Sequence, residues 1–93
     1  MNSERLEAQA VAALLEKGLT ISTAESCTGG WVGKRLTDIS GSSAAFQGGV
    51  ISYTNAVKHQ VLQVPEQMLK QCGAVSEEVA RAMAEGVRAL LKT

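Results

Sequence analysis

The chain has 93 residues, of which 45% are hydrophobic and 19% charged, and its nine basic side chains balance nine acidic ones. These values are typical of one folded globular domain with a modest core, and they argue against a disordered chain. The formal net charge of zero and the lack of an arginine-rich patch argue against a nucleic-acid partner. No apolar run approaches the roughly 20 residues of a membrane span, so no membrane partner is expected.

The two cysteines, Cys27 and Cys72, have neither the spacing of metal ligands nor the number that a disulfide framework needs. The first five residues carry charges where a signal peptide would need an apolar core. We therefore expect a reduced, cytoplasmic setting and no metal site.

The first half of the chain predicts a helix, a strand and a second helix. Residues 4–17 show helical spacing of apolar side chains between Ser3, a possible N-cap, and Gly18, a possible C-terminal glycine. Residues 19–23 are predicted to form a short strand, and Gly29–Gly30 opens the next helix. The apolar face of that helix is predicted to consist of Val32, Leu36 and Ile39.

The second half predicts one more strand and three helices. Residues 46–53 have the pattern of a strand, in which Gly48–Gly49 marks a bulge or a close backbone approach. Asn55 can cap a short helix, Pro65 can start the next, and Ser76 can cap the last. The apolar face of the last helix is predicted to consist of Val79, Met83, Gly86, Val87 and Leu90.

This order places two strands among about five helical segments in one domain over residues 1–93. A strand–helix–strand sequence implies parallel strands joined by a right-handed crossover. Two strands are few for so many amphipathic helices, because each apolar face must be covered. We therefore expect a sheet that is incomplete within these residues, with an open edge and an apolar last helix that favour a homo-oligomer.

A serine at the end of the first strand is the candidate nucleophile. The segment 23–30, Thr-Ala-Glu-Ser-Cys-Thr-Gly-Gly, puts Ser26 between an apolar strand and a helix start. Many α/β enzymes display a nucleophile there, because helix N–H groups can stabilise an oxyanion. The hydroxyl needs a nearby base, and Lys58 is the better candidate, since a buried lysine can lose its proton near neutral pH. Tyr53 can relay that proton.

The chain resembles the C-terminal domain of the competence/damage-inducible protein A (CinA) family. The resemblance covers nearly all of the sequence and follows the family's order in the Ser26 segment, Gly41-Ser42-Ser43, Gly48-Gly49, Tyr53-x-Asn55-x-x-Lys58 and Gly73-Ala74-Val75-Ser76. It implies a three-layer α/β/α fold. It also implies nicotinamide-nucleotide amidase activity, in which nicotinamide mononucleotide is hydrolysed to nicotinic acid mononucleotide and ammonia, with no metal or organic cofactor.

The resemblance also implies a catalytic group of one serine, one tyrosine and one lysine, which correspond to Ser26, Tyr53 and Lys58. Candidates for contacts to the amide, ribose or phosphate of the substrate, or for an oxyanion hole, are Thr23, Glu25, Thr28, Gly29, Gly30, Ser42, Ser43 and Asn55. Family members continue beyond the equivalent of residue 93 with further strands and a glycine-rich loop of the active site. An incomplete C-terminus is therefore expected.

Each site residue also has a structural interpretation. Ser26 can be a helix cap, with Cys27 as an alternative nucleophile, although a small buried side chain is the favoured role for Cys27. Taken alone, Tyr53 is typical of an aromatic at the edge of a core, and Lys58 of a solvated surface lysine. His59, adjacent to Lys58 on a predicted helix, points about 100° away from it, and we interpret it as a surface residue.

Two further side chains leave their roles open. Trp31 can stack on a nicotinamide ring, although packing is favoured, and Glu25 can act as a second acid–base group or as a hydrogen-bond acceptor at the strand end. For the whole chain, two alternatives to an enzyme remain. One is a non-catalytic fragment or interaction module that associates through its sheet edge, and the other is a nucleotide-binding module built on Gly29–Gly30.

Overall fold

A computed structural model describes residues 5–93 as a parallel pair of strands between two layers of helices. The elements are α1 (Leu6–Lys17), β1 (Ile21–Glu25), α2 (Trp31–Thr37), a 3-10 turn (Ser42–Ala44), β2 (Phe46–Ile51), α3 (Asn55–Leu62), α4 (Glu66–Cys72) and α5 (Glu77–Leu91). Helices α1 and α2 form one layer, and α5, flanked by α3 and α4, covers the other face of both strands. The predicted three-layer α/β/α fold is confirmed. The proposed cap Ser3 and residue 4 lie outside the described residues.

The first strand lies two residues later than predicted, because the end of α1 uses the preceding segment. Gly18 adopts a left-handed conformation (φ 66°), and the Leu19 N–H donates to the Leu14 carbonyl oxygen at 2.9 Å. This pair of features is a Schellman-type C-cap. Pairing starts only at Ile21, whose N–H donates to the Ala45 carbonyl oxygen.

Glycines allow the two strands to approach closely and out of regular register. Ile21 pairs with Phe46 but Ser22 pairs with Gly48, so Gln47 is the extra residue of a bulge. Gly48 has φ 144°, which favours glycine. A methyl group on Gly49 would overlap the Thr23 hydroxyl and lie 2.8 Å from the Thr23 carbonyl oxygen. The predicted bulge and the predicted close approach are both present.

Helix starts were predicted well, with one displacement. Ser76 accepts a hydrogen bond from the Val79 N–H at 3.3 Å and caps α5 as expected, and Pro65 directly precedes α4. The cap of α3 is Thr54, whose hydroxyl accepts from the Val57 N–H at 3.3 Å. The prediction of Asn55 as this cap is wrong by one residue, because both side chains can cap and only the backbone decides which one is extended.

The core lies between the sheet and the helices α3, α4 and α5. Its buried members are Leu62, Val64, Leu69, Val79, Met83 and Val87. The apolar stripe of α5 was expected to need a partner, but three of its side chains are buried within the chain, and only Leu90 stays exposed. Gly86 explains how α5 packs so tightly, since a methyl group there would overlap the Leu62 carbonyl oxygen at the end of α3.

Candidate active site at the carboxyl edge of the sheet

Ser26 lies at the carboxyl edge of the sheet, beside the segment that follows β2. The strands are parallel, so their carboxyl ends meet at one edge. Glu25 pairs with Ile51, and the Ser52 N–H still donates to the Glu25 carbonyl oxygen at 2.8 Å. Ser26 therefore follows the last paired residue of β1 at the point where the chain runs from Ser52 into Tyr53.

The alternation of β1 assigns Ser26 to the face of the sheet that α5 covers. The Ser22 hydroxyl is hydrogen-bonded to the Thr93 hydroxyl at 2.6 Å, and Ala24 packs against the core that includes α5. Ser26 continues this series and lines a cleft with Met83 of α5. Thr23 and Glu25 belong to the opposite face, where they lie against Gly33 of α2.

The cleft at Ser26 has a volume of about 280 Å³. Its wall is formed by the segment from Ala24 to Thr28, by Val32, by Ala74 to Ser76, and by Ala80 and Met83. Cys27 is exposed at this cleft, and its predicted burial is wrong. The reason is that Cys27 lies in the turn between β1 and α2, where no strand or helix of the described residues covers it.

The Glu25 carboxylate holds the loop between β1 and α2 in place. Its Oε1 accepts from the Thr28 hydroxyl and from the Val32 N–H, each at 2.8 Å, and its Oε2 accepts from the Gly33 N–H at 2.9 Å. Burial raises the pKa of Glu25, but the hydrogen bonds from Gly33, Thr28 and Val32 outweigh it and hold that pKa below its ordinary value. Glu25 is thus an ionised acceptor that caps α2.

This capping restricts which backbone groups face the cleft. The Gly29 N–H donates to the Ser26 carbonyl oxygen at 3.1 Å, and the Trp31 N–H donates to Thr28 at 3.2 Å. Gly29 and Gly30 both have positive φ values, of 63° and 98°, which the tight turn requires. Gly29 and Gly30 were both predicted to line an oxyanion hole. The Gly29 N–H is already bonded within the loop and does not face the cleft as a free donor.

Lys58 is the largest fully buried side chain among the described residues, at 1% exposure. It lies one helical turn before Leu62 on the inner face of α3, and its Nζ donates to the Tyr53 carbonyl oxygen at 2.9 Å. No ion pair within residues 5–93 includes Lys58. The Tyr53 side chain, by contrast, is 75% exposed. The fold brings the lysine amine to the main chain of Tyr53 rather than to its phenol.

His59 points away from this buried amine. Its Nδ1 is hydrogen-bonded to the Val64 carbonyl oxygen at 2.8 Å, and its Nε2 lies 3.2 Å from Oε1 of Glu66 on α4. His59 thus joins α3 to α4 on the exposed side. Trp31 is also exposed, and the Nζ of Lys34 lies 5.6 Å from the centre of its ring.

The other predicted contact residues are scattered by the fold. Ser42 and Ser43 precede β2, so they lie at the amino edge of the sheet, roughly 16 Å from its carboxyl edge for five steps of about 3.3 Å. Within this chain they do not reach the Ser26 cleft. Asn55 lines a separate cavity of about 290 Å³ with His59 and Glu66.

Ser52 is a residue that the sequence reasoning missed. It is completely buried, and its hydroxyl is the one buried side-chain group in the described part of the chain without a hydrogen-bond partner. The sequence does contain a sign of this burial. Ser52 continues the alternation of Gly48 and Val50, which puts a polar side chain on the inward face of β2.

Residues 5–93 contain no group of three or more potential metal-ligating side chains. In the same range, no helix combines the length and apolarity needed to cross a membrane.

The chain is similar in sequence to proteins named CinA-like. The CinA-like protein of Parasynechococcus marenigrum (strain WH8102) is 58% identical over 87 residues, which are 92% of this chain and 21% of that protein. The CinA-like protein of Syntrophus aciditrophicus (strain SB) is 53% identical over 89 residues, 96% of this chain and 21% of that protein. The chain therefore spans about a fifth of these relatives.

Solved structures agree. The competence damage-inducible protein A from Klebsiella pneumoniae superposes with a TM-score of 0.92 at 35% identity, over 95% of this chain and 55% of that one. A CinA superfamily protein from Escherichia coli gives 0.92 at 32% identity, over 95% and 51%. The family described as the CinA C-terminal domain matches residues 3–93. These matches confirm the resemblance, and the chain belongs to the family of CinA C-terminal domains.

Proposed function

We propose that this domain serves an amidohydrolase that converts nicotinamide mononucleotide to nicotinic acid mononucleotide and ammonia. Membership of the CinA family supports the proposal at the level of the protein class. The observation that carries it further is the buried Lys58 amine, held at the Tyr53 carbonyl beside the strand end that presents Ser26. A serine hydroxyl needs a base of this kind held nearby before it can attack an amide.

In the proposed reaction Ser26 Oγ attacks the carboxamide carbon and loses its proton to Lys58. The carbon–nitrogen bond then breaks, and the nitrogen takes that proton as it leaves as ammonia. A water molecule attacks the resulting ester, and Ser26 recovers its hydroxyl as the carboxylate product forms. Tyr53 is the proton relay that the family resemblance implies, and its phenol, which is exposed, would have to turn towards the Lys58 amine to carry the proton to the leaving group.

The hydrogen bonds of Glu25 weigh against a binding module built on the start of α2. Phosphate binds a helix N-terminus through free N–H groups and the positive end of the helix dipole. Here an ionised carboxylate already accepts from the Val32 and Gly33 N–H groups and would repel a phosphate. This favours turnover at Ser26 over nucleotide binding at Gly29–Gly30.

Release of ammonia from nicotinamide mononucleotide by the complete gene product tests the proposal. Ser26→Ala should lower turnover by several orders of magnitude, because an activated nucleophile is removed, while circular dichroism stays unchanged. Cys27→Ala is the matched control, since Cys27 is the neighbouring exposed nucleophile of the same turn. If Ser26→Ala kept a tenth of the activity and Cys27→Ala abolished it, the nucleophile would be Cys27.

A further inference from the structure

Two buried polar groups lie together under the carboxyl edge of the sheet. The Ser52 hydroxyl is fully buried without a partner, and Ser52 directly precedes Tyr53, whose carbonyl oxygen accepts from Lys58 Nζ at 2.9 Å. Both side chains face the core, since Ser52 continues the inward series of Val50 and Lys58 shares the inner face of α3 with Leu62. Both groups therefore border the same part of the interior. Ser52 is the residue before Tyr53, and the Lys58 amine is bonded to the Tyr53 carbonyl.

The hydrogen-bonding capacity of both groups is unmet. An ammonium group has three N–H donors, and the Tyr53 carbonyl accepts one of them. The Ser52 hydroxyl offers one donor and two acceptor sites, with no partner in the described residues. Buried polar groups are rarely left in this state, because each lost its water partners on folding.

Within residues 5–93, no charged neighbour takes the place of such a partner. From β1, the Glu25 carboxylate is turned to the start of α2, and from α4, Glu66 lies against His59 on the exposed side. Helix α5 presents the apolar side chains Val79, Met83 and Val87 to this core. On α3 itself, His59 is bonded to the Val64 carbonyl oxygen, away from the interior.

We propose that the Ser52 hydroxyl is a positioning group for the Lys58 amine, bonded to it through one bridging water molecule. The hydroxyl can accept from that water and, after rotation, donate to it, so the water can face either the ammonium or the neutral amine, whereas the Tyr53 carbonyl can only accept. Ser52 thereby holds the amine in place while it gains and loses a proton. This role rests on the proposed function of Lys58 as the base.

Two substitutions of equal shape isolate the hydroxyl. Ser52→Thr keeps it and adds a methyl group, whereas Ser52→Val adds the same bulk without it. Any overpacking at this fully buried position is therefore common to both variants. Ammonia release by Ser52→Val should fall about 10- to 100-fold in kcat relative to Ser52→Thr, with KM within about twofold, because a bond to a charged group is lost. The rate–pH profile should move in Ser52→Val and not in Ser52→Thr.

A second measurement does not depend on activity. In protein labelled with 13C at the lysine Cε, the Lys58 signal is identified as the one absent from Lys58→Met. At a fixed pH its chemical shift should differ between the Thr and Val variants, because the hydrogen bond through the hydroxyl is present only in Thr. Identical Lys58 signals in the two folded variants would overturn the inference. If the signals differ as expected but the wild type releases no ammonia, the positioning stands and the proposed function fails.

Discussion

A buried ammonium without a carboxylate partner is costly, because desolvation of a charge is not repaid by a single hydrogen bond to a carbonyl. The Lys58 side chain is 1% exposed, donates to the Tyr53 carbonyl, and takes part in no ion pair within residues 5–93. Glu25 shows the opposite arrangement, since three donors surround its carboxylate. The contrast separates the two charged residues of the edge. Glu25 supports the loop, whereas the Lys58 amine has a single bond, to a main-chain oxygen, and is the group that the proposed reaction uses as its base.

Lys58→Met should lower ammonia release by about 10²- to 10⁴-fold, the usual contribution of a general base. Methionine has similar length and fills the buried space without a charge, so the fold should persist. His59→Ala is the matched control on the adjacent position, and it should leave the rate nearly unchanged because His59 faces Glu66. If both variants lost activity equally, the cause would be a general disturbance of α3, and Lys58 would have no special role.

Helix α1 packs chiefly on α2, and an ion pair joins the two. The buried Glu7 carboxylate accepts from Arg35 Nη2 at 3.1 Å and from Nε at 3.2 Å, and Arg5 Nη2 lies 2.6 Å from its Oε2. The hydrogen bonds from Arg35, followed by the backbone bond, lower the pKa of Glu7 from 4.5 to about 2. The attachment of α1 therefore depends on an ionised side chain.

This lowered pKa predicts an acid-sensitive attachment of α1. The stabilisation is fully present above the unfolded value and is lost as pH falls from 4.5 towards about 2, because the unfolded chain takes up the proton first. Thermal unfolding followed by circular dichroism should show a smaller loss of Tm over this range in Glu7→Gln than in wild type. Glu16→Gln, at an exposed position of the same helix, should retain the wild-type slope. Parallel curves for all three proteins would contradict the assignment.

The whole molecule is extended rather than spherical. Its Cα radius of gyration is 14.4 Å and its extents are 46 × 26 × 16 Å, whereas a compact chain of this length has about 12 Å. Each of the two strands has one edge that is unpaired in the described structure. Leu90 is 51% exposed beside a groove of about 620 Å³ between α5 and the α3–α4 pair. Open strand edges and exposed apolar side chains are the features that favour association between chains.

We therefore expect the 93-residue chain to self-associate at micromolar concentration, as sedimentation velocity can measure. Leu90→Glu should weaken the association, because a charge beside the groove must be desolvated in any contact there. Leu15→Glu, at a similarly exposed position of α1, is the control and should change it little. A wild-type chain that sediments as a monomer at every concentration tested would contradict the expectation.

Features that depend on neighbours in the chain were predicted closely. The Ser76 cap, the helix after Pro65 and the break at Gly18 each arise from hydrogen bonds or φ angles within a few residues. The limits of β1 were not predictable in this way, since Leu19 is held by α1 and the last strand residue is set by pairing to Ser52. The cap at Thr54 was missed for a related reason, because two adjacent residues had equal capacity.

The sequence by itself determined the family, the helices and the position of Ser26 at a strand end, because motif spacing and helix periodicity are local. Tertiary structure alone decided which side chains share a region. Parallel pairing sends Ser42 and Ser43 to the amino edge, away from Ser26. Packing of α3 on α5 buries Lys58 beside the Tyr53 carbonyl. The alternation of β2 buries Ser52 on the face of the sheet that α5 covers. Burial and hydrogen-bond satisfaction belong to contacts between distant segments, so no local pattern contains them.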